Sequence, residues 1–334
     1  MDNRASSTAE GLPGLRLPSP LEEVDDPRLG GVRLFLKRDD LLHPDLPGNK
    51  WRKLKDNLAE AARQGAHTLL TFGGAYSNHI RATAAAGRHF GFATIGVIRG
   101  EEHLPLNPSL AYAVARGMRL AYLDRTTYRA KNDPEVIARL REEHGDFHLI
   151  PEGGSNAWAV RGCAELPAEV AAQLGGDGYD MICCACGTGG TLAGIAAGLP
   201  PGRRALGFSV LKGGEFLAGE VERLRREAYG TSSPNYTLEH GFHFGGYARI
   251  PAELDDFARD FAARHGHVLE RIYVAKMLYG VFALAARGAF APGTRIVAVV
   301  TGGAAPWDAG GAAPWDDTGG RTRGIGGKPG KAGN

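Results

Sequence analysis

Three turns in this 334-residue chain hold residue types that can do chemistry. In the first, Pro47-Gly48-Asn49-Lys50-Trp51-Arg52-Lys53-Leu54, a lysine opens a helical pattern directly behind a Gly-Asn turn. A helix N-terminus carries partial positive charge, and Arg52 and Lys53 add to it, so the ammonium form of Lys50 is disfavoured. A lysine with a lowered pKa is a nucleophile that can form a Schiff base with a carbonyl. The plain alternative is a solvated charge cluster. In the second turn, Gly73-Gly74-Ala75-Tyr76-Ser77-Asn78-His79, a strand ends in two glycines and a helix begins. Backbone N–H groups there suit a carboxylate, or Ser77 simply caps the helix. The third, Cys186-Gly187-Thr188-Gly189-Gly190-Thr191, joins another strand to another helix. Its N–H groups and threonine hydroxyls suit a phosphate. The spacing of a P-loop is missing, and Leu192 stands where a dinucleotide fingerprint needs its last glycine.

An amine, a carboxylate site and a monophosphate site are together what pyridoxal 5'-phosphate and an amino acid require. This cofactor is the one the three turns jointly predict, and the failed fingerprint argues against a nucleotide-dependent oxidoreductase. No metal is expected. Cys183 and Cys186 form a C-x-x-C, but no second Cys/His pair has zinc spacing. The run around them reads as a buried apolar strand rather than an exposed redox turn, so Cys183, Cys184 and Cys186 are expected to be small buried hydrophobes.

The elements that must position these turns alternate. Strands are predicted over 32–37, 67–72, 92–98, 119–123, 147–151, 179–185, 204–211 and 294–300. Helices are predicted over 51–64, 77–91, 108–117, 135–144, 156–174, 188–197, 214–227, 251–265 and 274–287, and residues 1–30 read as extended. The alternation implies an α/β fold of parallel twisted sheets with helices on both faces, and ligands in such folds bind beyond the carboxyl ends of strands. Lys and Arg number 39 against 37 Asp and Glu, so no strong field draws nucleic acid or membrane. No apolar run approaches a signal peptide or a membrane span, and a cytoplasmic protein is expected. Glycine, 49 residues, is about twice the usual share. The excess is expected in loops and in the segment 302–334, where 11 of 33 residues are Gly, GGAAPWD occurs twice and disorder is predicted.

The ordered set LKRDD (36–40), GNKWRKL (48–54), GGAYSNH (73–79), PEGGSNAWAVRG (151–162), GTGGT (187–191), GGYA (245–248) and IYVAK (272–276) resembles the fold type II pyridoxal-phosphate enzymes. Within them it is similar to the family joining 1-aminocyclopropane-1-carboxylate deaminase and D-cysteine desulfhydrase. The resemblance implies a two-domain, tryptophan synthase β-like fold: a smaller domain over 50–155, and a larger cofactor-binding one over 1–49 plus 156–301. It implies that Lys50 is the Schiff-base lysine, that Asn78 bonds the cofactor ring oxygen, and that Gly187, Thr188, Gly189, Gly190 and Thr191 hold the phosphate. Ser77, Asn78 and His79 would meet the substrate. Tyr247 and Tyr273 would be active-site tyrosines, with Ser77 beside them in the catalytic set. Deaminases carry Gln where His79 stands and Glu where Val274 stands, leaving Thr301 as the partner of the pyridine nitrogen. The implied activity is β-elimination from a small amino acid such as D-cysteine, giving pyruvate, ammonia and sulfide, in a homodimer. The alternatives are the deaminase, or a cofactor-binding relative with lost or different activity. Arg271 and Ala275 depart from the family's Pro and Gly, and the repeated segment after Gly303 replaces its short closing segment.

Overall fold

The computed structural model describes residues 12–175, 178–231 and 233–302. The segment 303–334, for which the sequence predicts disorder, lies outside the described residues. The larger sheet orders β1 (Leu21–Val24), β2 (Arg33–Lys37), β10 (Arg295–Val299), β7 (Met181–Cys186), β8 (Arg204–Ser209) and β9 (Tyr236–Glu239) side by side. In it β1 runs antiparallel to β2 and the other pairs are parallel. The smaller sheet orders β5 (Met118–Leu123), β4 (Ala93–Arg99), β3 (Thr68–Gly73) and β6 (His148–Ile150), all parallel.

Alternation along β7 shows how helices cover both faces. Cys183 and Ala185 pack with α10 (Ala252–His265) and α11 (Val274–Ala286). Ile182, Cys184 and Cys186 pack on the other side with α6 (Ala157–Cys163), α7 (Leu166–Leu174), α8 (Gly190–Gly198) and α9 (Leu217–Tyr229). A strand buried on both faces must read as a continuous apolar run, which is why the cysteines sit there. All four are free thiols, and burial pushes Cys163 up to about 11 and Cys183 further still, so thiolate chemistry is suppressed.

The smaller sheet is covered by α1 (Asn49–Arg63), α2 (Asn78–Phe90), α3 (Pro108–Ala115), α4 (Arg125–Arg129) and α5 (Pro134–His144). Trp51, Leu54, Leu58 and Ala61 recur at helical spacing and are buried, and Trp51 stacks on Phe90 with ring centroids 6.0 Å apart. Truncating such a buried aromatic costs ~3–5 kcal/mol, so this contact fixes where α1 begins.

Three expectations change. The single helix over 156–174 is two, α6 and α7. Pro167 has no N–H and its ring would strike the preceding turn of a continuous helix, so the chain breaks at Ala164 and Glu165 and Pro167 starts the next. Strands β1 and β9 and helix α4 were not expected; they are four or five residues long and polar in part. Glycine is not confined to loops. A Cβ on Gly162 would lie 2.0 Å from the Arg52 carbonyl oxygen, and one on Gly194 would lie 2.3 Å from Cys163 Cβ. These glycines let α6 press backbone-close against α1 and α8, drawing together the two helices whose N-termini carry Lys50 and the Gly187–Thr191 turn.

The strand order reverses between β3 and β6 in the smaller sheet, and between β7 and β10 in the larger. A crevice opens outside the carboxyl ends of strands at each reversal. The two crevices share one cavity.

Candidate active site

The cavity, of about 930 Å³, is lined by the ends of β3, β6, β7 and β10 and by the starts of α1, α2 and α8. Lys50, Ser77, Asn78, His79, Gly187 to Thr191, Tyr247, Tyr273 and Thr301 all line it. All the site residues predicted from the sequence are therefore brought together, from turns up to about 250 positions apart in the chain.

The start of α1 is stitched to both neighbouring strands. Gly48 N donates to Asp39 O at 2.8 Å, and Asn49 N to Thr301 O at 3.1 Å. Gly48 has φ +67, and a Cβ there would lie 1.7 Å from the Thr301 carbonyl oxygen, so only glycine fits. Arg52, 2% exposed, forks onto Asp39 at 2.7 and 2.8 Å and reaches Glu169 at 3.0 Å. Lys37 and Gln173 complete this buried network.

Lys50 is lowered from the ordinary lysine value to about 7, first by burial and then by the charge of Lys53. The expected outcome is met, but its cause differs in part. Arg52 contributes nothing, because Asp39 and Glu169 neutralise its guanidinium. Lys53, 2% exposed, was expected to be a mere neighbour. Instead it runs beneath the glycine turn, donating to Gly153 O at 2.9 Å and Ser155 Oγ at 3.0 Å. Ser155 Oγ in turn bonds Thr188 Oγ1 at 2.6 Å. Asn49 Nδ2 donates to Thr191 Oγ1 at 2.7 Å. A Cβ on Gly190 would meet Ser155 Oγ at 2.6 Å and Lys53 Nζ at 2.9 Å. The turn is thus built with no room for side chains, its N–H groups left at the start of α8.

Ser77 caps α2, its Oγ accepting from the N–H groups of His79 and Ile80 at 3.2 and 3.4 Å. The bland role holds, and the hydroxyl keeps its hydrogen for the cavity. Asn78 is exposed to the cavity. His79 lies deeper. Thr71 Oγ1 donates to Ile150 O at 2.8 Å and meets His79 Nε2 at 2.8 Å. The hydroxyl has one hydrogen, so His79 Nε2 carries the ring hydrogen and Nδ1 is bare. That Nδ1 is buried and has no hydrogen-bond partner among the described residues. Burial, then Lys50 and Lys53, hold the ring well below the usual imidazole range, so it is neutral.

The far wall is a pair of tyrosines. The rings of Tyr247 and Tyr273 meet edge-on, centroids 5.6 Å apart, and each phenol perturbs the ionisation of the other. Burial raises both, Tyr273 far above the usual phenol value, so both stay protonated and can act as proton donors. Tyr273 lies over Gly187, whose Cβ would come within 3.2 Å of its hydroxyl. Glu270, not foreseen from the sequence, accepts from the N–H groups of Ile272, Tyr273 and Val274 at 2.8, 2.8 and 3.2 Å, and so fixes the backbone that carries Tyr273. Val274 is fully buried in the core behind it.

Residues 14–302 match the family model for the pyridoxal-phosphate dependent enzymes. The chain belongs to that family. Its relatives include a D-cysteine desulfhydrase of Yersinia pestis, 30% identical over 86% of this chain and 91% of that one. Another is the bifunctional, mitochondrial D-cysteine desulfhydrase/1-aminocyclopropane-1-carboxylate deaminase of Arabidopsis thaliana, 31% identical over 79% of this chain and 71% of that one. A solved structure of an aminocyclopropanecarboxylate deaminase homologue superposes with a TM-score of 0.74 at 28% identity, covering 90% of this chain and 95% of that one. The chain is a pyridoxal-phosphate-dependent enzyme of the type II fold. The residues present fit the cofactor: an amine half-neutral near pH 7 for its aldehyde, and, for its phosphate, a turn whose glycines have no room for a Cβ and leave backbone N–H groups at the start of α8. Among the described residues no group of His, Cys, Asp and Glu could hold a metal ion, and no helix is long and apolar enough to cross a membrane.

Proposed function

We propose that this enzyme catalyses β-elimination from a small, D-cysteine-like amino acid, water completing the products pyruvate, ammonia and sulfide. When bound, pyridoxal phosphate supplies the electron sink that acidifies the Cα hydrogen of an amino acid. Lys50 would hold the cofactor through its amine and, once displaced by the substrate amine, take the Cα proton at Nζ; a base of about 7 is matched to neutral pH. Gly187 to Thr191 would grip the phosphate, Asn78 the ring oxygen, and the Thr301 hydroxyl would face the ring nitrogen. Ser77 Oγ and Asn78 would receive the substrate carboxylate, and His79, neutral and deeper, would face the substrate beside them. Tyr273, kept protonated, would give its Oη hydrogen to the departing sulfur, with Tyr247 orienting it.

What favours elimination over ring opening is the residue that follows Tyr273. Val274 is apolar, 0% exposed and packed into the core behind the cavity, where the resemblance implies that the deaminases carry a carboxylate for the ring nitrogen. Thr301 offers a neutral hydroxyl instead, which leaves a weaker electron sink. A second reading, 1-aminocyclopropane-1-carboxylate deaminase, is favoured by the solved homologue and by the bifunctional plant relative. The test is turnover of D- and L-cysteine and of aminocyclopropanecarboxylate by the holoenzyme. Sulfide and pyruvate from D-cysteine support elimination. Release of 2-oxobutyrate from the cyclopropane as the faster reaction overturns it, and no turnover of any of them leaves a cofactor-binding relative with a different activity. We further infer that the smaller sheet with residues 50–155 and the larger with 1–49 and 156–301 act as two domains, in a cytoplasmic homodimer.

A further inference from the structure

The segments Gly245-Gly246-Tyr247-Ala248 and Ile272-Tyr273-Val274-Ala275-Lys276 each bring a tyrosine to the cavity. Lys276 has no part in the chemistry above. Its side chain is 0% exposed, and its Nζ donates to His243 O at 3.0 Å, Gly246 O at 2.6 Å and Tyr247 O at 2.9 Å. These three bonds use every ammonium hydrogen, and all three acceptors belong to the loop that presents Tyr247. That loop needs holding. Phe244 sits in the left-handed region with φ 55, followed by Gly245 at 90° and Gly246 at 138°. A non-glycine residue stays there only where its surroundings over-determine it. Without Lys276, all three carbonyls would lose their shared ammonium donor: His243 O and Gly246 O would keep only the N–H groups of Gly246 and Arg249, and Tyr247 O would lose the bond that ties it to α11.

The two tyrosines are therefore tied through one helix. Glu270 fixes the N–H groups of Ile272, Tyr273 and Val274 at the start of α11. One turn further on, Lys276 reaches across to the backbone of Tyr247. The edge-on ring contact between Tyr247 and Tyr273 lies between these two anchors.

We propose that Lys276 is a positioning residue for the reaction: by gathering the carbonyls of His243, Gly246 and Tyr247 it fixes the Tyr247 hydroxyl against Tyr273, which aims the Tyr273 proton into the cavity. This rests on the reading above, in which the tyrosine pair supplies the proton to the leaving group. The lysine touches neither substrate nor cofactor. Its effect passes through Tyr247, and that separates it from a residue that merely stabilises the fold.

The experiment uses holoenzyme carrying Lys276→Met, Tyr247→Phe and both, with kcat and KM on the best cysteine substrate, the visible absorbance of the bound cofactor, and hydrogen exchange at the amides of 244–248. Lys276→Met is expected to keep the cofactor band, to speed exchange at 244–248 by at least ~10-fold, and to lower kcat by ~10–100-fold with KM nearly unchanged, the effect of a misplacement of about 1 Å. In the Tyr247→Phe background the same substitution should lower kcat by no more than about 3-fold, since residues acting as one unit are not additive. An equal loss in both backgrounds, or unchanged exchange in the loop, overturns the proposal. If Tyr247→Phe turns over like the wild type, the reading of the tyrosine pair fails first, and the exchange data still show whether Lys276 held the loop. Should Lys276→Met not fold, Lys276→Arg keeps the charge but cannot converge three bonds at one point, and the same comparison decides.

Discussion

Lys50→Met should make the apoprotein more stable while abolishing its function. Lys50 falls from the ordinary 10.5 to about 7, chiefly through burial. At ~1.4 kcal/mol per pH unit that corresponds to an upper bound of about 5 kcal/mol of strain on the charged amine. Water reaching the half-buried side chain screens it, leaving ~2–3 kcal/mol. The sign follows from proton binding. Between pH 7 and 10.5 the unfolded chain keeps a proton that the folded chain has released, so stability rises with pH across that window. Below about 7 both states are protonated and the full penalty is present; above about 10.5 it has vanished. Methionine fills similar space without the charge. The assay is thermal or urea unfolding of both apoproteins from pH 6 to 10.5. The variant should be more stable by ~2–3 kcal/mol at pH 6–7, with the difference closing as pH rises. A variant less stable than wild type at pH 6–7, or a difference that does not depend on pH, would refute a strained, neutral-leaning amine.

Tyr273→Phe should keep the cofactor absorbance and lower kcat by ~10²–10⁴-fold, the usual contribution of a general acid; near-normal turnover would make the residue a packing group. Arg52→Leu should destabilise the protein by ~3–5 kcal/mol, because Asp39 and Glu169 are left buried without their partner; urea unfolding reads it, and a change under 1 kcal/mol would contradict the network's role. Val274→Glu should lower stability, since a carboxylate enters a fully buried position, and should not create turnover of aminocyclopropanecarboxylate; 2-oxobutyrate release by this variant would show that the one residue selects the reaction.

The three reactive turns were legible because each is local: a glycine turn, a strand end and a helix start are written in consecutive residues. What escaped was set by contacts distant in the chain. Lys53 looks like one charge in a cluster, and only the approach of Gly153, Ser155 and Gly190 turns it into a brace beneath the phosphate turn. Glu270 precedes its helix by a few residues without a recognisable capping pattern. The depression of Lys50 was expected from helix polarity and two neighbouring cations, but burial dominates and Arg52 is silenced by Asp39 and Glu169, partners 13 and 117 residues away. The packing role of the glycines within α6 and α8 escaped for the same reason, since it is to admit another helix's backbone, whereas the glycine excess was expected in loops and the closing segment. The break at Ala164 was legible from Pro167, which an unbroken apolar pattern outweighed.

The claim on which all else depends is that Lys50 is the amine that holds pyridoxal phosphate. Borohydride reduction of the holoenzyme, followed by proteolysis and mass spectrometry, fixes the cofactor to whichever lysine carries it. The pyridoxyl mass should appear on Lys50, with Lys53 unmodified. Its appearance on Lys53, or on neither residue, would contradict the account.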